Sequence, residues 1–106
     1  MIGAQEPQNS REDFEQQIER TVNRLRTMSL DKLAQGNRVS DTRLVIQDLA
    51  DAGRSALGLE PLEVPVLSDA ALADQLSVIG KQLLAAMNDE VLESAARQLQ
   101  HLRSTL

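Results

Sequence analysis

Five carboxylates at short spacing are the side chains whose types and positions could do metal chemistry. They fall on two predicted helices and are Glu12, Asp13, Glu15, Asp48 and Asp51. A magnesium-dependent nucleotide hydrolase needs such carboxylates to converge on one ion from two helices. We expect Asp48 and Asp51 to point away from the core stripe of their helix and the glutamates of the first helix to lie on a flank, so these ligands would not converge. A carboxylate-based, metal-dependent nucleotide hydrolase is therefore kept as an alternative only.

Residues 30–49 contain a second pattern with chemical potential, that of a helix-turn-helix. A short helix and a glycine-containing turn would precede a helix on which Arg43 and Gln47 point outward, where they could read base edges. Against this, Gly36 comes earlier than the usual turn glycine. The same surface carries three aspartates that would repel phosphates, namely Asp41, Asp48 and Asp51. A small nucleic-acid-associated regulator that uses the basic segment 20–54 is thus the runner-up function.

The composition excludes most other kinds of functional site. The 106 residues include no cysteine, which excludes disulfides, thiolate metal sites and cysteine nucleophiles. Phe14 is the single aromatic residue and His101 the single histidine, so base-stacking platforms and multi-histidine metal sites are excluded as well. Gln98 stands three residues before His101, so the Glu-x-x-His pattern of di-iron proteins is absent. We predict no cofactor and no enzymatic activity.

Charge is distributed unevenly along the chain, whose net charge is −5. Segment 1–19 has one basic and five acidic residues, net −4; segment 20–54 has seven and four, net +3; segment 55–106 has three and seven, net −4. The basic residues of the middle segment are Arg20, Arg24, Arg26, Lys32, Arg38, Arg43 and Arg54. They form either solvated faces with intramolecular salt bridges or a patch for an anionic partner.

Apolar residues at steps of three and four predict the helices that position these side chains. The first helix has Ser10 as its N-cap, and its apolar face consists of Phe14, Ile18, Val22, Leu25 and Met28. Ser29 would cap a short helix from Leu30 to Gln35, which buries Leu30 and Leu33. Gly36 would end this helix, because glycine tolerates the left-handed backbone found there.

The next helix is predicted from about Asp41 to Leu57, with Ser40 as its cap and Gly58 as its terminator. Leu44 falls outside the core-facing arc of this helix, so we expect it to be exposed. Two prolines, Pro61 and Pro65, exclude a helix over residues 59–67. We predict an extended connection there and call it the strap.

A further helix, capped by Ser68, has two apolar faces. Its main stripe consists of Leu72, Leu76, Ile79, Leu83 and Met87. A second row at sevenfold spacing consists of Ala71, Val78 and Ala85. Gly80 borders the main stripe and is expected to permit a close approach between helices. A last helix opens at Asn88 or Asp89.

Together these patterns predict an all-α protein, an antiparallel helical bundle of three long helices plus one short helix, with the extended proline-containing strap at 59–67. Residues 1–9 are polar and aperiodic, which predicts a disordered leader before a single bundle domain at 10–106. The chain shows neither an apolar run long enough for a membrane span nor the pattern of a signal peptide, so we expect a cytoplasmic location.

One stretch of the chain is similar to a known group of proteins. The run Val64–Leu76, followed by Val78, Gly80 and Leu83-Leu84, resembles a segment of short actinobacterial proteins of unknown function. Arg24-Leu25-Arg26 with Leu30 and Leu33 is similar to their first helix, and the likeness would cover most of residues 15–106. The resemblance implies a helical fold and no established activity. It draws attention to Asp74, which is either part of a wet strip or a partner for an arginine of the first helix.

Because these exclusions leave no catalytic site, the sequence favours a non-enzymatic interaction or assembly module. The apolar row at 71, 78 and 85 and the exposed Leu44 exceed what one bundle core needs. We therefore expect the partner to be a second copy of the chain, as a homodimer, or another protein; nucleic acid is the less favoured partner and no membrane is expected. The candidate partner contacts are Arg20, Arg24, Arg43, Leu44 and Gln47.

Overall fold

The chain forms an all-α bundle. A computed structural model describes residues 9–86 and 88–106; Met87 and all of the predicted leader except Asn9 lie outside the described residues. The helices are α1 (Ser10–Thr27), α2 (Leu30–Leu33), α3 (Arg38–Ala56), α4 (Leu72–Ala85) and α5 (Asp89–Thr105), and a single 3-10 turn over Asp69–Ala71 leads into α4. The strap contains no helix or strand, as the two prolines predict.

Four long helices lie within the described residues, one more than the three predicted. The C-terminal segment is itself a helix of 17 residues, separated from α4 by its own cap. The side chain of Asn88 accepts a hydrogen bond from the Val91 backbone N–H, which starts α5 independently. The bundle therefore consists of four long helices and the four-residue α2.

Helices α1 and α3 lie across the bundle from each other, and each packs against both α4 and α5. Two of the four neighbouring pairs are antiparallel, as predicted: α1 with α4, and α3 with α5. In the first pair Ile18 lies against Gly80 and Arg26 bonds Asp74, so residue numbers run in opposite directions. A side chain on Gly80 would place its Cβ 2.7 Å from Ile18 Cδ1, which confirms the close approach that this glycine allows.

The other two neighbouring pairs, α1 with α5 and α3 with α4, are parallel. Ser10 bonds Glu93 and Gln17 bonds Arg103, so α1 and α5 run in the same direction. The strap makes the α3–α4 pair parallel by carrying the chain back along α3. A helix of 19 residues is roughly 28 Å long, and nine or ten extended residues span about 30 Å, so an extended strap has the reach that a helical one would lack.

Several helix ends differ from the predicted ones. Asn9, not Ser10, caps α1, because its side chain accepts a hydrogen bond from the Glu12 N–H at 2.8 Å. Helix α3 begins at Arg38, so Ser40 lies inside it and donates to the Asn37 carbonyl instead of capping. Ser29 does cap α2, accepting from Lys32 N–H, and α2 ends at Leu33. Gly36 and Gly58 both have positive φ, 61° and 73°, as their predicted roles as terminators require.

The core is aliphatic apart from Phe14 and lies between the four long helices. Its most deeply buried apolar side chains are Phe14, Ile46, Leu49, Leu72, Leu76, Leu83, Leu92 and Leu99. Two buried threonines satisfy their hydroxyls within their own helices: Thr21 donates to the Gln17 carbonyl and Thr42 to the Arg38 carbonyl. Leu33 is buried, but the predicted burial of Leu30 is wrong: it is 55% exposed, because α2 is a single turn that reaches the core only at its end.

Candidate interaction surface

Side chains of α3 hold the backbone of the strap at its middle. The amide nitrogen of Gln47 donates to the Leu62 carbonyl at 3.0 Å, and its amide oxygen accepts from the Val64 N–H at 2.8 Å. The same nitrogen also donates to the Asp51 carboxylate at 2.8 Å, which orients the amide. A single glutamine thus satisfies two backbone groups of a segment that has no ladder partner of its own.

Three further side chains hold the ends of the strap. Arg54 donates to the Glu60 carbonyl, and Gln75 of α4 donates to the Pro65 carbonyl at 2.9 Å. Arg43 donates to the Leu67 carbonyl at 2.8 Å and bonds the Asp69 carboxylate at 3.1 Å. The strap is therefore fixed mainly through its backbone.

Most apolar side chains of the strap point to solvent as a result. Val64 is half-buried against the core, whereas the others are exposed. The exposed residues are Leu59, Leu62, Val66 and Leu67, with exposed fractions between 48% and 76%. Exposed leucines and valines on one ordered segment, instead of scattered singly, are typical of a contact surface.

The strap and α4 enclose an apolar groove of about 430 Å³. Its apolar lining consists of Val64, Pro65, Leu67, Ala71, Val78 and Ile79. A second groove, of about 280 Å³, shares Ile79 and continues to Leu57, Leu59 and Ala85. We call the combined surface, made of Leu57, Leu59, Leu67, Ala71, Val78, Ile79 and Ala85, the strap–α4 face. Its most prominent helical residue is Val78, which is 54% exposed.

The predicted contact residues Arg43 and Gln47 are both occupied in holding the strap. Their side chains donate to strap carbonyls, which accounts for the outward direction that the helix-turn-helix pattern had suggested for them. Leu44 is exposed, as predicted, and lies in a groove between α3 and α5 beside His101. The strap contacts were not predicted, because they depend on the path of a segment that shows no periodicity.

The two predicted contacts on α1 are not brought together with those on α3. Arg20 is exposed, whereas Arg24 donates to the Leu106 carbonyl at 2.8 Å. Because α1 and α3 lie across the bundle, the five predicted contacts do not form one surface. Five of the seven basic side chains of segment 20–54 donate to acceptors within the chain, namely Arg24, Arg26, Arg38, Arg43 and Arg54.

Asp74 combines the two roles considered for it. Its side chain is 76% exposed, and one carboxylate oxygen, Oδ1, accepts from Arg26 of α1 at 2.9 Å. An exposed ion pair of this kind contributes about 0–1 kcal/mol to stability. Asp74 therefore joins α1 to α4 weakly while it remains open to solvent.

The acidic residues considered as metal ligands are dispersed. Asp48 accepts from Gln98 of α5 at 2.7 Å and Asp51 accepts from Gln47, whereas the three glutamate and aspartate candidates of the first helix lie across the bundle on α1. Within residues 9–86 and 88–106, no three acidic or histidine side chains are grouped as a metal site requires. Over the same residues, no helix is long and apolar enough to cross a membrane.

Comparison with known proteins adds no assignment. The chain matches no protein-family model, and no curated protein and no solved structure is significantly similar to it.

Proposed function

We propose that the protein is a non-enzymatic assembly module that binds a second copy of itself through the strap–α4 face. The observation that carries this proposal is the way the strap is held. Four polar side chains, Arg43, Gln47, Arg54 and Gln75, bind its carbonyl groups and leave its leucines exposed. An ordered apolar segment that does not bury itself in its own core is suited to burial against a partner.

The energetics support a contact with another protein surface. Fully burying an exposed leucine or valine side chain contributes about 1.5–3 kcal/mol, so a side chain that is already half-buried gains about half of that on contact. The strap–α4 face exposes at least four such side chains, at Leu57, Leu59, Leu67 and Val78. Association itself costs about 4–15 kcal/mol in lost freedom, so a face of this size is expected to give a reversible dimer and not a permanent one. In a two-fold dimer both copies bury the same face, so the exposed apolar side chains of each copy contribute.

This proposal is preferred to a nucleic-acid regulator because five of the seven basic side chains of segment 20–54 already bond acceptors within the chain. A nucleic-acid surface also needs its basic side chains on one face, whereas Arg24 and Arg26 lie on α1 and Arg43 and Arg54 lie across the bundle on α3. We also propose that the protein acts in the cytoplasm, and that it shares its helical fold with the short actinobacterial proteins that most of residues 15–106 resemble.

Sedimentation equilibrium of the whole chain tests the proposed self-association. Over a concentration series from the low micromolar to the millimolar range, we expect the average mass to rise from 11.7 kDa toward twice that value. Reversible dimers follow mass action, so dilution should return the smaller mass. A mass that stays at 11.7 kDa throughout the series would contradict the proposal.

A further inference from the structure

The outer row of α4 is symmetric about its central residue. Ala71 lies seven residues before Val78 and Ala85 lies seven residues after it. Seven residues are nearly two helical turns, so Val78 and Ala85 lie on one line along the solvent side of α4, and Ala71, the last residue of the 3-10 turn, lies at the start of that line. A two-fold axis through Val78 would therefore place Ala71 opposite the partner's Ala85 and Val78 opposite the partner's Val78. The small alanines at both ends allow two helices to approach closely.

Charges beside this row fit the same axis. Asp74 and Lys81 both lie on the α1 side of the row: Asp74 bonds Arg26, and Lys81 lines a groove with Ile18. A two-fold axis between antiparallel helices brings the same flank of each helix together. Asp74 is four residues before Val78 and Lys81 is three residues after it. Measured along the helix axis, Asp74 would therefore lie within about 1.5 Å of the level of the partner's Lys81.

The strap side of the row is compatible with this arrangement as well. Leu67 lies beside Ala71 at one end of α4, and Leu59 lies beside Ala85 at the other. Antiparallel pairing brings the Leu67 end of one copy to the level of the Leu59 end of the other. Apolar ends therefore meet apolar ends, while a parallel two-fold pairing would bring opposite flanks of the two helices together and would separate Asp74 from the partner's Lys81.

We infer that two copies pair through α4 in antiparallel register about Val78, with Asp74 of each copy opposite the partner's Lys81. This inference specifies the geometry of the proposed self-association and rests on it. The Arg26 contact does not compete with the new ion pair, because it uses Oδ1 of a carboxylate that is 76% exposed. Arg26 and the partner's Lys81 would flank the same carboxylate.

Charge reversal tests this register in the full-length chain. Asp74→Lys gives a protein with lysines at both positions, and Lys81→Asp gives one with aspartates at both. In a dimer of either single variant, like charges face each other at both symmetric contacts between positions 74 and 81. We therefore expect dimerisation to weaken about tenfold to a hundredfold. An equimolar mixture of the two variants, and the double variant Asp74→Lys/Lys81→Asp, should each recover the affinity of the unmodified chain, because opposite charges then meet again.

Arg26→Gln is the matched control. It removes the bond to Asp74 within the chain and keeps both members of the proposed pair between Asp74 and the partner's Lys81, so its dimerisation constant should stay within about threefold of the original. Thermal unfolding followed by circular dichroism checks that every variant is folded. If the unmodified chain dimerises but neither single reversal weakens it, the register is wrong and the proposed self-association stands. If the unmodified chain does not dimerise, both are wrong.

Discussion

Val78→Asp is expected to leave the chain folded and to reduce its self-association by about a hundredfold or more, equivalent to about 2.7 kcal/mol. Val78 is 54% exposed in the single chain, so a carboxylate at this position remains hydrated and the fold tolerates it. At a two-fold axis the same substitution places two carboxylates against each other and removes both from water. Desolvation and repulsion then both destabilise the dimer, and neither destabilises the fold of the single chain.

Leu44→Asp is the matched control for this prediction. Leu44 is 63% exposed on α3, facing the groove between α3 and α5, and lies outside the strap–α4 face. Introducing the same charge there should leave the dimerisation constant within about threefold of that of the unmodified chain, since an exposed carboxylate stays hydrated. Sedimentation equilibrium on both variants decides the matter. If Leu44→Asp is monomeric and Val78→Asp still dimerises, the interface lies at the Leu44 groove and not on the strap–α4 face.

Leu76→Ala is expected to lower the free energy of unfolding by about 3–4 kcal/mol, whereas Leu44→Ala should change it by less than about 0.5 kcal/mol. The two substitutions remove the same atoms from side chains that differ in exposure. Leu76 is 0% exposed and Leu44 is 63% exposed. Truncating Leu76 loses its transfer free energy and leaves a cavity between α4 and the rest of the core, because the close-packed neighbours relax only partially into the space.

Urea denaturation monitored by circular dichroism measures both changes. All three proteins are compared at one protein concentration, because a dimer that forms only in the folded state raises the apparent stability by mass action. Equal losses of stability in the two variants would show that Leu76 is not in the core or that Leu44 is not on the surface.

The helices and their exposed leucine could be predicted because both follow from local rules. Apolar steps of three and four set the faces that pack, and Leu44 falls outside such a face, so its exposure needed no knowledge of its neighbours. Gly36 and Gly58 were likewise predictable as terminators, because glycine is the residue that adopts positive φ without strain. Helix starts were less predictable: Asn9 and Ser10 are both good caps, and the structure selects Asn9.

The directions of the helices and the roles of Arg43 and Gln47 could not be predicted. Both depend on the path of the strap, whose contacts join residues that are 15 to 24 positions apart and follow no period. Sequence periodicity indicates only that these two side chains leave the core. It does not show whether they meet solvent, a nucleic acid or, as here, a neighbouring backbone carbonyl. The pattern of the Ala71–Val78–Ala85 row was visible in the sequence, but its exposure required the packed bundle.

Disulfide trapping at Val78 tests most directly whether a second copy covers the strap–α4 face. The chain has no cysteine, so Val78→Cys and the control Leu44→Cys each introduce a single thiol. A disulfide needs Cα atoms about 4.4–6.8 Å apart, a separation that facing residues at a two-fold axis between closely packed helices can reach. Under mild oxidation, a dimer that forms through this face predicts covalent trapping of Val78→Cys at protein concentrations where Leu44→Cys remains monomeric. A Val78→Cys protein that stays monomeric while the unmodified chain dimerises, or equal trapping at both positions, would contradict it.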